Sequence, residues 1–246
     1  MYLYSVDINA DVGEGIGNES KLLPYLSSCN IACGGHAGNE DTMRKVVKLA
    51  KAHKVKIGAH PSFPDKENFG RVKMDISCAA LYTSLKHQLS NLLEVLHSEN
   101  ATLHHIKPHG ALYNLAAVSK KVAGVVIELI KSMQYPVQLY VPYKSVIAAL
   151  ALENDISITY EAFADRNYND DLSLVSRKTP NALITDDEVM KEHVLKMVTN
   201  KKVTTVTGKE QSILVNTICV HGDNENAIKL VEKLHKFLVK NHIKIQ

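Results

Sequence analysis

Seven short apolar runs recur along the chain, at residues 3–9, 29–32, 55–59, 103–107, 137–141, 156–160 and 214–220, with longer stretches of helical period between them. Each run is too short for a helix and reads as a β-strand. Met43, Val46, Val47 and Ala50 repeat at helical spacing behind Asn39, a cap candidate followed by the acidic pair Glu40 and Asp41. Leu81, Leu85, Leu89, Leu92 and Leu96 form a second stripe behind Ser77. Thr185 to Glu188 has capping-box spacing, and Val189, Val194 and Met197 continue it as one apolar face. A last helix over 226–240 aligns Ala227, Leu230, Val231, Leu234 and Leu238. Strands alternating with helices predict a parallel sheet in one α/β domain, residues 1–246, closed or nearly closed as a seven-stranded (β/α) barrel. An open doubly wound sheet is the competing topology.

Polar clusters follow five of the strands: Asp7 to Asp11, Cys33 to His36, Gly58 to Pro61, Lys107 to Gly110, and His221 to Asn224. In a parallel sheet the carboxyl ends of all strands share one rim, so clusters far apart in sequence are expected to converge on one pocket. That arrangement predicts an enzyme.

Composition narrows the class. Hydrophobic content of 45%, charged content of 22% and a net charge of +3, with lysines dispersed along helix faces, give no basic block for nucleic acid and no apolar run long enough to span a membrane. The start shows no secretory pattern, so a cytoplasmic protein with a small-molecule partner is expected. Cys29, Cys33, Cys78 and Cys219 lack zinc-ribbon or disulfide spacing and read as reduced thiols.

Asp7, Asn9 and Asp11 alternate along a strand, so all point to one face, and the expectation is that they meet at the barrel mouth. His36, His60, His109 and His221 stand beside small residues at equivalent positions. Neutral imidazoles with Asp7 or Asp11 suit a divalent metal, and without one the same groups serve as general acids and bases; the spacing leaves both open. Asp7, His36, His60 and His109 are the metal candidates. Lys107 and Arg166 are candidates to stabilise an oxyanion or phosphoryl group, against a structural ion pair with Glu161 or Asp165. The run from Gly13 to Gly17 matches neither GxGxxG nor GxxxxGK[ST], and a plain turn is the better reading. The segment 161–168 suits a loop closing over a substrate. His53, His97, His193, His235 and His242 fall on helical stretches and read as packing or solvated residues.

The chain resembles the LamB/YcsF family along nearly its whole length. The carriers are the segments 7–15, 30–38, 58–65, 69–71, 107–114, 161–166 and 219–224. Departures from the family pattern are Ala10 for Cys, Gly35 for an aromatic, Asn39-Glu40 for Asp-Pro and Val72 for a second Arg. The resemblance implies a seven-stranded barrel similar to the glycoside hydrolase/deacetylase superfamily. It also implies cleavage of 5-oxo-L-proline to L-glutamate coupled to hydrolysis of ATP to ADP and phosphate, beside two further subunits, B and C. Asp7, Asp11, His36, His60, Lys107 and His109 would carry the chemistry. Asn9, Glu14, Arg71, Tyr113, Glu161, Arg166, His221 and Asp223 would bind substrate. A divalent metal and a homo-oligomer are compatible with this reading. Two alternatives stand beside it: a stand-alone metal-dependent amide or deacetylase-type hydrolase, and a substrate-binding subunit without chemistry of its own.

Overall fold

A computed structural model describes residues 2–220 and 227–246. The chain runs β1 (Tyr4–Val12), α1 (Glu19–Leu22), β2 (Ser28–Ala32), α2 (Glu40–Ala52), β3 (Lys56–His60), α3 (Cys78–Ser98), β4 (His105–Ile106), α4 (Gly110–Val118) and α5 (Lys120–Lys131). It continues through β5 (Gln138–Pro142), α6 (Val146–Glu153), β6 (Ile158–Phe163), α7 (Asp187–Asn200), a β7 (Lys202–Thr204) and β8 (Glu210–Ser212) hairpin, β9 (Thr217–Cys219), α8 (Ala227–Lys240) and β10 (Ile243–Ile245). Strands β1 to β6 pair in sequence and all in parallel. β9 closes the ring, since Thr217 is in register with both Glu161 on β6 and Asp7 on β1. The result is the expected closed seven-stranded parallel barrel wrapped by helices. β10 adds in parallel to the start of β1, with Tyr4 opposite Ile243.

Strand β1 shows how the barrel is packed. Val6, Ile8, Ala10 and Val12 are buried in the main apolar cluster between strands and helices. Asp7, Asn9 and Asp11 alternate with them and face the barrel interior, where their side chains bond across it. The helices complete the outer layer: the fully buried Leu85, Leu92 and Leu96 of α3 cover the strands, each such side chain contributing about 1.5–3 kcal/mol of burial.

The expected caps are present at Asn39, whose side chain accepts from Thr42 N at 2.9 Å, and at Ser77, which accepts from Ala80 N at 3.2 Å. In α7 the cap is Asp186 rather than Thr185, accepting from Glu188 N and Val189 N. Val189 is 57% exposed, and Met190 takes the buried place. The four cysteines are free thiols. Among the described residues no single helix is long and apolar enough to cross a membrane.

Candidate active site

The barrel interior is polar, and it is stacked in layers. Strands rise about 3.3 Å per residue, so side chains that share a face at spacing two occupy successive levels along the axis. Asp7 lies on the lowest level, bonded by Ser28 Oγ at 2.7 Å and Thr217 Oγ1 at 2.6 Å, with Lys56 Nζ at 3.5 Å. Burial raises its pKa, against the lowering effect of those partners. The expectation that Asp7, Asn9 and Asp11 meet at the mouth is therefore corrected: only Asp11 reaches it, and Asp7 is separated from His36, His60 and His109.

On the middle level, Asn9 Nδ2 donates to Glu161 Oε1 at 3.0 Å and to Thr217 Oγ1 at 2.8 Å. Asn30 Nδ2 donates to Asn9 Oδ1 and to Asp11 Oδ1, both at 2.8 Å. The Lys107 ammonium is caged above them by Asp11 Oδ1 at 3.0 Å, Glu161 Oε1 at 2.9 Å and Cys219 Sγ at 3.0 Å, with the Phe163 ring 5.4 Å away. Burial alone would depress this lysine, but Asp11, Cys219 and Glu161 carry its pKa well above the ordinary value. With Asn9 Oδ1 at 3.4 Å as a fourth, longer contact, acceptors surround the ammonium, so Lys107 is an internal counter-ion in a structural ion pair with Glu161 and Asp11.

The top level holds the reactive cluster. Asp11 lies one residue before the end of β1, Glu14 follows in the next loop, His36 lies past β2, His60 ends β3 and His109 lies past β4. Ligand-capable atoms of Asp11, Glu14, His60 and His109 all lie within 4.8 Å of one another. His60 Nδ1 contacts the Lys107 carbonyl oxygen at 2.7 Å, and His109 Nε2 contacts the Phe69 carbonyl oxygen at 2.9 Å. A carbonyl only accepts, so both of those nitrogens carry the proton. In the neutral rings His60 Nε2 and His109 Nδ1 are then bare, and they face one another at 2.9 Å. Asp11 Oδ2 lies 3.3 Å from His60 Nε2, and Glu14 Oε1 lies 3.5 Å from His109 Nδ1. Burial, then the neighbouring His60 and His36, pushes the His109 pKa far down. His36 stacks on His109 with centroids 3.7 Å apart and contacts Glu14 at 3.0 Å; burial lowers its pKa to about 4. The metal candidates accordingly change: Asp7 leaves the set, His36 lies beside it, and Asp11 and Glu14 join His60 and His109.

The loop before α3 is docked onto this cluster by backbone. Gly110, at φ +55°, has no room for a Cβ, which would fall 2.6 Å from the Gly70 carbonyl oxygen. Phe69 itself is held at φ +54°, a conformation that costs a non-glycine residue about 1–3 kcal/mol and aims its carbonyl at His109.

A cavity of ≈ 380 Å³ opens over Asp11, Glu14, His60 and His109. Arg71, Tyr113, Arg166, Arg177 and Lys178 are among its other lining residues. Arg71 stacks over Phe69 at 5.0 Å. Arg166 spends Nε on the Ala182 carbonyl and Nη2 on the Val175 carbonyl, which fastens the strap of residues 174–178 across the mouth; burial, with Arg177 nearby, lowers its pKa to about 10. The Tyr113 hydroxyl is buried against Glu161, and burial followed by that carboxylate pushes its pKa well up. His221 and Asp223 lie outside the described residues. Missed in the sequence are Asn30 and His105, which lie inside strands rather than past them.

The LamB/YcsF family model matches residues 6–246. A protein of Haemophilus influenzae, named as the A component of 5-oxoprolinase, is 42% identical over 240 residues, with 98% of each chain covered. Its namesake in Staphylococcus aureus is 41% identical over 246 residues, again covering 98% of each. The crystal structure of a lactam utilization protein from Thermus thermophilus has a TM-score of 0.92 at 34% identity, covering 98% of this chain and 99% of that one. On sequence over nearly its full length and on fold, the chain belongs to the LamB/YcsF family.

Proposed function

We propose that this chain is the lactam-binding and ring-opening component of an ATP-dependent 5-oxoprolinase, acting with subunits B and C. The observation that carries this reading is the convergence of two bare imidazole nitrogens and two carboxylates on the floor of a pocket with a cationic rim. The names of the relatives supply the substrate: 5-oxoproline has a carboxylate, which suits Arg71 and its basic neighbours, and an amide-like lactam carbonyl. That amide is a poor electrophile, and phosphorylation of its oxygen at the expense of ATP makes it a good one. Asp11 Oδ2, Glu14, His60 and His109 then orient a water and take its proton. The water oxygen bonds to the activated carbon, the ring C–N bond breaks as the nitrogen receives a proton from the imidazole cluster, and the γ-glutamyl phosphate so formed is cleaved by a second water to glutamate and phosphate.

The donor set also fits a divalent cation. The nitrogen–nitrogen and nitrogen–oxygen separations of 2.9 to 3.5 Å are those of neighbouring ligands on one small ion, and each imidazole has the carbonyl partner that fixes its bare nitrogen inward. Bound there, such an ion would supply Lewis acidity and a more acidic water. This favours, as second reading, a stand-alone metal-dependent amide hydrolase.

Reconstitution with subunits B and C, 5-oxoproline and ATP, measuring glutamate and phosphate, tests the proposal. Glutamate should form only with ATP, and Asp11→Asn or His60→Ala should abolish it with the circular dichroism spectrum unchanged. Undiminished turnover by either variant refutes the assignment. Glutamate made by the chain alone, without ATP and lost to a chelator, establishes the second reading instead.

A further inference from the structure

Beneath the pocket lies a buried imidazole that the chemistry above leaves unused. His105 is fully buried, with its ring stacked on Tyr140 at 3.9 Å and 10°. Against it packs Gly58, where a Cβ would fall 2.1 Å from His105 Nε2. The ring has nowhere to turn.

Its hydrogen bonds can be oriented from the top of the barrel downward. Asn30 faces Asp11 Oδ1 and Asn9 Oδ1, both acceptors, so its NH2 group points at them and its Oδ1 points away. That oxygen meets His105 Nε2 at 2.7 Å, which requires the proton of the imidazole on Nε2. His105 Nδ1 is then bare and accepts from His104 Nδ1 at 3.1 Å. One polarity runs from His104 through His105 and Asn30 to Asp11.

We propose that His105 and Asn30 are positioning residues for Asp11. Asn30 and Lys107 both donate to Asp11 Oδ1, which saturates that oxygen and leaves Oδ2 directed at His60. The His105 N–H engages the other end of the amide and so reinforces this orientation. A turned amide would set its oxygen against the Asp11 carboxylate and swing Oδ2 out of line. Neither residue touches the pocket; both act through Asp11.

The test rests on the lactam-opening reading and uses the full chain reconstituted with subunits B and C. His105→Phe keeps the stacking ring and removes the donor, His105→Gln keeps a donor, and Asn30→Leu removes the amide. His105→Phe and Asn30→Leu should lower kcat by about 10- to 100-fold while KM for 5-oxoproline stays within about twofold, and His105→Gln should recover most of the loss. A folded His105→Phe enzyme with unaltered kcat, or a Gln variant no better than Phe, overturns the proposal. Long-range 1H–15N NMR of the unmutated chain gives a readout that needs no activity: the proton should be on His105 Nε2, and a proton on Nδ1 instead overturns the proposal even if no variant folds. Failure of the unmutated complex to make glutamate counts against the proposed function only, and the tautomer then decides.

Discussion

His60 Nε2 and His109 Nδ1 lie 2.9 Å apart, although the neutral rings have no proton to place between them. Their other nitrogens are committed to the carbonyls of Lys107 and Phe69. The two facing lone pairs repel one another until a cation, proton or metal, joins them. Calorimetric titration with zinc or manganese should therefore find one site per chain, weakened at least about 100-fold in His109→Ala. Equal affinity in that variant would show that the ion binds elsewhere.

Lys107 neutralises two buried carboxylates, and its loss would leave Asp11 and Glu161 without their counter-ion. Lys107→Met should destabilise the fold by about 3–5 kcal/mol. Adding Glu161→Gln should recover part of that. Urea denaturation midpoints at constant slope read both effects, and an unchanged midpoint for Lys107→Met would contradict the cage.

Gly58 has no spare space beside His105. Gly58→Ala should cost about 1–3 kcal/mol through overpacking, and His105→Ser in the same chain should return most of it. If the double variant is as unstable as the single one, the contact is not the cause.

His193 on α7 is packed on Tyr168, and burial lowers its pKa from 6.5 to about 4. The folded state thus keeps the ring neutral where the unfolded state takes up a proton. Stability contributed by the neutral ring is complete above pH 6.5 and is lost as pH falls from 6.5 towards 4, on the order of 3 kcal/mol in all. His36 acts in the same direction. Melting temperatures measured across that window should fall less steeply with acid for His193→Phe than for the parent chain; parallel curves would sink the assignment.

All seven barrel strands are legible as apolar runs, and the helices behind Asn39 and Ser77 as capped stripes, because a buried strand leaves a short apolar run and burial of one helix face leaves a helical period. The β7–β8 hairpin and β10 are three-residue strands, too short to leave one. Asp7 is misplaced by the sequence pattern for a different reason. Alternation reports the face of a strand but not the height along it, so a shared face reads as a shared site. Asn30 and His105 escape a search confined to residues beyond the strands, yet a polar residue within an apolar strand is itself a signal.

The barrel keeps its oily contacts on the outside of its staves and its polar ones within. Damage to the two sides should consequently diverge: changes at Ile8, Leu85 or Leu92 remove protein from solution, whereas changes at Asn30 or Asp11 leave a sound vessel with altered contents. Reactivity is confined to the inner face of the seven strands, so the apolar outer layer can drift in sequence without disturbing the chemistry.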